Sequence, residues 1–276
     1  MPTLFRLFFV RNLLYLCFIL TPLMFDYMLP AMLIVFVYMS AVFILALILK
    51  NNSIVDIFWG IGFILLTAFG LFYSGSMDIK KIIVSFLILV WGLRLSIHIF
   101  IRNKGRDEDF RYANWRRTWK NFVFRSFLQI FMLQGFFMLV IAWPVLHINH
   151  GDSVDFGMID IAGILIFLTG FTFEVVGDYQ MTVFKKDPAN SGKIITIGLW
   201  KYTRHPNYFG EALLWWGIWL MAVPVIDGIY TIISPLVITW LLRYISGVPM
   251  LEKKYEGHPD WERYKSKTPV FVPFLK

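Results

Sequence analysis

Ile54 to Phe72 reads IVDIFWGIGFILLTAFGLF, a run broken by a single ionisable side chain, Asp56. Its length matches the roughly 20 apolar residues that a helix needs to cross a hydrocarbon core. Lipid offers backbone amides no hydrogen-bond partner, so such a run is expected to be helical. Outward from it, comparable runs extend from Phe5 to Met24, Ala31 to Leu49, Ile82 to Ile101, Phe122 to Leu146, Ile159 to Val183, Tyr208 to Val223 and Ile229 to Ser246. The first contains Arg6 and Arg11, and no small-residue cleavage site follows it, so it counts as a span. The expected fold class is all-α, a polytopic transmembrane helix bundle of seven to eight spans. Residues 1–50 would form amino-terminal membrane helices, and 51–276 the main membrane domain with cytosolic loops.

Composition agrees. Of 276 residues, 58% are hydrophobic and 16% charged, with a mean hydropathy of +0.65, whereas soluble domains carry about 25% charged residues. A soluble Rossmann domain is excluded. The single cysteine, Cys17, lies in an apolar run and forms no intrachain disulfide. Tryptophans such as Trp115, Trp119, Trp200, Trp215 and Trp216 fall near span ends, as in an interfacial belt.

The net charge of +8 is distributed by topology. Lys and Arg concentrate at Lys50, from Arg102 to Arg125, from Lys185 to Arg204 and in the tail. The connections around Asp26, Ser74 to Asp78, His147 to Asp155 and Asp227 are poor in them. Both termini are therefore expected in the cytosol, with only Lys80 and Lys81 against the pattern. Because orientation accounts for the charge, nucleic acid is not an expected partner.

Ionisable residues inside spans are costly and call for a purpose. Asp56 could act as an acid toward a substrate carbonyl; alternatively, Ser53 and Asp56 have the spacing of a helix capping box. Arg94, His98 and Arg102 share one helix face and could form a basic wall for phosphates, or Arg102 could snorkel while His98 bonds a neighbouring helix. Glu174, Asp178 and Lys185 lie along another helix, where acids suit ribose hydroxyls or an amide, or build an interhelical network. From Leu199 to Glu211 the chain crowds Arg204, His205, Asn207 and the acid Glu211 around Pro206, a residue suited to a helix's first turn and its anion-binding amino groups. No HExxH, Cys-rich or 2-His-carboxylate spacing occurs, nor a Walker A or GxGxxG loop, so no metal is expected. His147 and His150 read as external loop residues.

The block from Lys201 to Glu211, KYTRHPNYFGE, resembles the carboxy-terminal signature of the steroid 5-alpha-reductase and sterol-reductase superfamily, whose fold also includes isoprenylcysteine carboxyl methyltransferases. The tail from Leu251 to Gly257, with Trp261, Tyr264, Thr268 and Pro273, is similar to its ending. Trp91 to Leu95, Asn103 to Arg106 and Asp109 to Tyr112 resemble the steroid 5-alpha-reductase-like branch. This resemblance, from about Ser53 onward, implies NADPH in a pocket open to the cytosol. Asn103 and Arg106 match the family's basic loop, Asp178 and Lys185 its acidic and basic cofactor contacts, and Asn207 and Glu211 its asparagine and glutamate near the cofactor. Arg94, Arg111, Tyr202, Arg204, His205, Tyr208 and Glu252 complete the implied contacts. Asp56 corresponds to a catalytic glutamate that works with a tyrosine one helix later; Trp91 stands near that tyrosine's place.

The implied function is NADPH-dependent reduction of a carbonyl-conjugated C=C bond in a steroid- or lipid-like substrate, with Asp56 and Glu211 as catalytic acids. An S-adenosylmethionine-dependent methyltransferase using Arg204, His205 and Glu252 is the alternative, and a non-catalytic lipid-binding protein a third. The expected partners are membrane lipids and the substrate, and the expected state is a monomer.

Overall fold

The computed structural model describes residues 2–275, with the side chains of 26–253 and 255–275. The expected span from Phe5 to Met24, and Cys17 within it, lie outside the residues whose side chains are described. The elements are α1 (Pro2–Leu49), α2 (Ile54–Tyr73), α3 (Ile79–Asn103), α4 (Phe110–Thr118), α5 (Phe122–Ser126), α6 (Leu133–His150), α7 (Met158–Lys186), α8 (Pro206–Ala222), α9 (Ile233–Trp240), α10 (Val248–Glu252) and α11 (Pro259–Lys267). Short π-helical turns at Phe127–Met132 and Leu241–Ile245 follow α5 and α9. There is no strand among the described residues.

Six segments are long and apolar enough to cross a membrane: Asp26–Leu49, Ile54–Tyr73, Ile79–Asn103, Phe122–His150, Met158–Lys186 and Gly228–Glu252. This count of the described residues is below the expected seven to eight. The expected span from Tyr208 to Val223 is helix α8, whose 17 residues reach about 26 Å against a hydrocarbon core of roughly 30 Å. Much of α8 is buried, with Leu214, Trp215, Ile218, Met221 and Ala222 inaccessible. On the other helices many large apolar side chains face outward, among them Phe36, Val37, Phe86, Leu165 and Leu168, as expected where lipid is the solvent.

The chain forms two compact units, Met1–Ser76 with Ile88–Leu139, and Met77–Leu87 with Val140–Lys276. In the first, α1 packs on α2 and on the π-turn after α5. Helices α2 and α3 touch at Gly60 and Gly92: a Cβ on Gly60 would stand 2.3 Å from the Gly92 carbonyl oxygen. Phe63, Leu66, Trp91 and Phe131 fill the surrounding core.

In the second unit α7 and α8 make the most extensive helix pairing. Two glycine contacts bring them together, Gly170 with Gly210 and Gly163 with Gly217. Without a hydrophobic drive between lipid-embedded helices, such small residues allow the close approach on which dispersion contacts depend. The two lysines that broke the charge pattern are buried here. Lys80 Nζ lies 3.2 Å from Asp160 Oδ1, with side chains 2% and 1% exposed, and Lys81 Nζ lies 3.9 Å from Asp78. Asp160 also accepts from the Gly157 N–H at 2.9 Å at the start of α7.

Candidate functional site

In the first unit the site is built from the start of α2 and the loop leading into α4. Asp56 sits in the first turn of α2, and Ser53, at its N-cap, makes no side-chain capping bond. The capping-box reading therefore fails: Ser53 Oγ instead accepts from the Asp109 N–H at 2.7 Å. One residue earlier, the Asn52 N–H donates to Glu108 at 2.7 Å, and Arg116 grips the same carboxylate with two bonds of 2.9 and 2.8 Å. These bonds tie the segment before α4 to the beginning of α2. Asp109 then caps α4 by accepting from the Arg111 N–H at 3.0 Å, a side-chain acceptor for an otherwise orphaned helix donor.

The consequence is a three-residue cluster on Asp56. Tyr112 donates its hydroxyl proton to Asp56 Oδ1 at 2.8 Å, and Arg111 Nη2 meets Oδ2 at 3.1 Å. Arg111 Nε is fixed in turn by Asp109 at 2.8 Å. Burial, reinforced by the charge of Asp56, pushes the Tyr112 hydroxyl well above its usual range. For Arg111, burial works against the charge but the facing carboxylate of Asp56 outweighs it, and the group is held more firmly protonated than usual. The cluster thus presents a buried, persistently protonated phenol on an anchored carboxylate. Such a group can donate a hydrogen bond to an oxygen that gains negative charge.

Trp91 is fully buried against Phe63, with ring centroids 5.3 Å apart. The tyrosine hydroxyl that meets Asp56 is that of Tyr112, at the end of the Asp109 to Tyr112 motif. Its signal was the i, i+3 spacing of Asp109 and Tyr112, which makes an N-cap and one exposed turn of helix but does not reveal which face meets α2.

In the second unit Arg204, His205 and Glu252 converge. Arg204 Nε and Nη2 meet the two Glu252 oxygens at 2.9 and 3.3 Å, and His205 Nε2 meets Oε1 at 2.9 Å. Arg204 Nη1 donates to the carbonyls of Lys265 and Thr268 at 3.1 and 3.0 Å, and its backbone N–H donates to Pro269 at 2.9 Å. Thr203 Oγ1 adds a bond to Phe271 O at 2.7 Å, and Tyr264 bonds the Trp200 carbonyl. Arg204 is therefore the clasp that holds the carboxy-terminal segment against the start of α8. Burial lowers the pKa of His205 below its ordinary value despite the pull of Glu252.

His205 Nδ1 and Asn207 Oδ1 are buried here with no hydrogen-bond partner. Neutral His205 donates through Nε2 to Glu252, which leaves Nδ1 an acceptor. Asn207 Nδ2 donates to Asp178 at 3.0 Å, which leaves its carbonyl oxygen an acceptor as well. Tyr208 stacks on His205, with centroids 5.7 Å apart and planes 7° from parallel.

The remaining expected residues are dispersed. Arg94 is partly buried on α3; Asn103, at the end of α3, accepts from Arg102 Nε at 3.3 Å; and Arg106 is exposed. Lys185 is exposed at the end of α7, Tyr202 is exposed with its ring 5.0 Å from Phe274, and Glu211 is partly buried on α8. Glu174 is 2% exposed within α7. Among the described residues no three His, Cys, Asp or Glu side chains are grouped to hold a metal ion.

The chain is 26% identical over 260 residues to uncharacterized protein C594.04c of Schizosaccharomyces pombe, covering 82% of this chain and 74% of that protein. A segment of 46 residues is 48% identical to the probable O-methyltransferase ustE of Ustilaginoidea virens, covering 17% of this chain and 16% of that one. The profile of a family described as "Protein of unknown function (DUF1295)" matches residues 42–268. That match takes in the Asp56 cluster as well as Arg204, His205 and Glu252, and the chain belongs to the DUF1295 family.

Proposed function

We propose that this protein is a membrane-embedded, NADPH-dependent reductase of the steroid 5-alpha-reductase-like kind, acting on a C=C bond conjugated to a carbonyl in a steroid- or lipid-like substrate. The observation that carries this reading is the buried Tyr112 hydroxyl held on Asp56 and squared by Arg111. NADPH is the hydride donor of this reading; in the second unit, taken by itself, the unpartnered acceptors His205 Nδ1 and Asn207 Oδ1 suit amide N–H or ribose O–H groups of the kind it carries. When bound it supplies the hydride that reduces the β carbon. Tyr112 turns its proton from Asp56 to the substrate carbonyl oxygen and stabilises the enolate charge there. The phenol keeps its proton, and a water protonates the α carbon, leaving hydroxide. One hydride and one proton together saturate the bond. In this reading both termini face the cytosol and the protein works as a monomer.

The short similarity to a probable O-methyltransferase favours a second reading, transfer of a methyl group from S-adenosylmethionine to a lipid. Acceptor atoms at His205 and Asn207 would serve that cofactor's amine and hydroxyl groups too. One experiment separates the two. Detergent-purified protein is mixed with NADPH and a panel of enone lipids, and absorbance at the nicotinamide band is followed. Oxidation that requires an enone supports the reductase. No oxidation, together with thermal stabilisation by S-adenosylhomocysteine but not by NADPH, establishes the second reading instead.

A further inference from the structure

In the first unit, where the candidate span Phe122–His150 begins, an open groove of about 620 Å³ is lined by Phe43, Asn121, Phe122, Val123, Phe124 and Phe127. Small-molecule sites usually occupy about 300 to 1,000 Å³. Its walls are nearly all apolar. Asn121, with φ of 52° and ψ of 47°, turns the chain into α5 and leaves Val123 and Phe124 more than half exposed.

The rim is cationic. Arg116 lies 4.5 Å over the Phe122 ring and spends its charge on Glu108. Arg125 lies 4.7 Å over Trp119, whose ring meets Phe122 at 6.4 Å. Neither Arg125 nor exposed Lys120 forms an ion pair among the described residues. The arrangement is thus an apolar trough at the start of a candidate span, with Arg125 on the ring beside it and exposed Lys120 next in sequence to its lining residue Asn121. A free anion would leave the apolar walls unused, and an uncharged chain would leave the cations unanswered.

We propose that this groove holds one acyl chain of an anionic phospholipid, with the phosphate on Arg125 and Lys120. The trough supplies buried apolar area to the chain, and each basic side chain near the headgroup plane attracts the phosphate. The inference is independent of the reductase reading.

The test is native mass spectrometry of the full-length protein in detergent with an equal mixture of phosphatidylglycerol and phosphatidylcholine. One phosphatidylglycerol should be retained in at least about fivefold preference, the scale of one or two surface cations acting on an anionic lipid. The double variant Lys120→Gln, Arg125→Gln should bring the preference close to one while the melting temperature holds. Phe124→Ser should lower retention of the lipid by shortening the trough. A control with equal charge removed elsewhere, Lys193→Gln with Lys267→Gln, should keep the preference. Equal retention of the two lipids, an unchanged preference in the double variant, loss of preference in the control, or displacement of the lipid by inorganic phosphate would each overturn the proposal.

Discussion

Tyr112 and Asp56 are separated by 56 positions, yet their oxygens lie 2.8 Å apart because Ser53 and Asn52 pin the Glu108–Asp109 segment beside α2. Two roles compete for the pair, a structural bond and a donor for catalysis, and three substitutions separate them. Tyr112→Phe keeps the ring that packs on Trp115 and removes only the hydroxyl. It should cost about 1 kcal/mol of stability but lower turnover of an enone substrate about 100- to 1,000-fold. Asp56→Asn should reduce turnover similarly, since it frees the phenol and leaves Arg111 without its charge partner, while NADPH affinity stays unchanged. Ser53→Ala loses the bond from Asp109 and should lower the melting temperature with turnover largely intact. Full activity in Tyr112→Phe would remove the pair from the chemistry.

Helices α7 and α8 illustrate how a pattern of glycines becomes a helix contact. A Cβ on Gly170 would come within 2.5 Å of the Leu214 backbone nitrogen and 2.6 Å of the Gly210 carbonyl oxygen. Backbone cannot rotate out of the way as a side chain can. In an isolated helix alanine is favoured over glycine by about 1 kcal/mol, so the sign of Gly170→Ala reports the contact directly. The substitution should destabilise by about 1 to 3 kcal/mol, read as a lower midpoint of thermal unfolding in detergent. Gly157→Ala is the comparison: nothing lies within 4 Å of that position and its φ is −134°, so its midpoint should hold or rise. A stable Gly170→Ala would mean that the helices separate easily and that the close approach is dispensable.

Across the whole molecule the distribution of Lys and Arg still sets the expected orientation, and the two exceptions now have a local reason. Lys80 is buried on Asp160 and Lys81 lies near Asp78, so neither presents a free charge to a membrane surface and neither weighs against the asymmetry elsewhere. On this basis the connection between α6 and α7 should lie outside the cell with both termini within. A cysteine at Ser153, an exposed position, should react with an impermeant maleimide in intact cells that also carry Cys17→Ser. Labelling only after lysis would reverse the topology.

Membrane embedding and the helical class were legible in the order of residues because both depend on local quantities: the length of apolar runs and the absence of backbone partners in lipid. Ile54 to Phe72 announces a span without reference to any neighbour, and α2 is a helix of 20 residues there. Asp56, Arg204 and His205 stood out for the same reason, since each breaks an apolar background or a helix start, whereas Glu252 came only with the family resemblance. Their partners were not legible. Whether Ser53 would cap its own helix or accept from Asp109, and whether Arg204 would face a phosphate or close on Glu252 and the tail carbonyls, depends on which distant segment arrives beside them. Spacing along the chain specifies neighbours within a helix turn or two. Contacts over 48 or 56 positions arise only when packed helices and pinned loops bring particular faces together, as where Tyr112 meets Asp56.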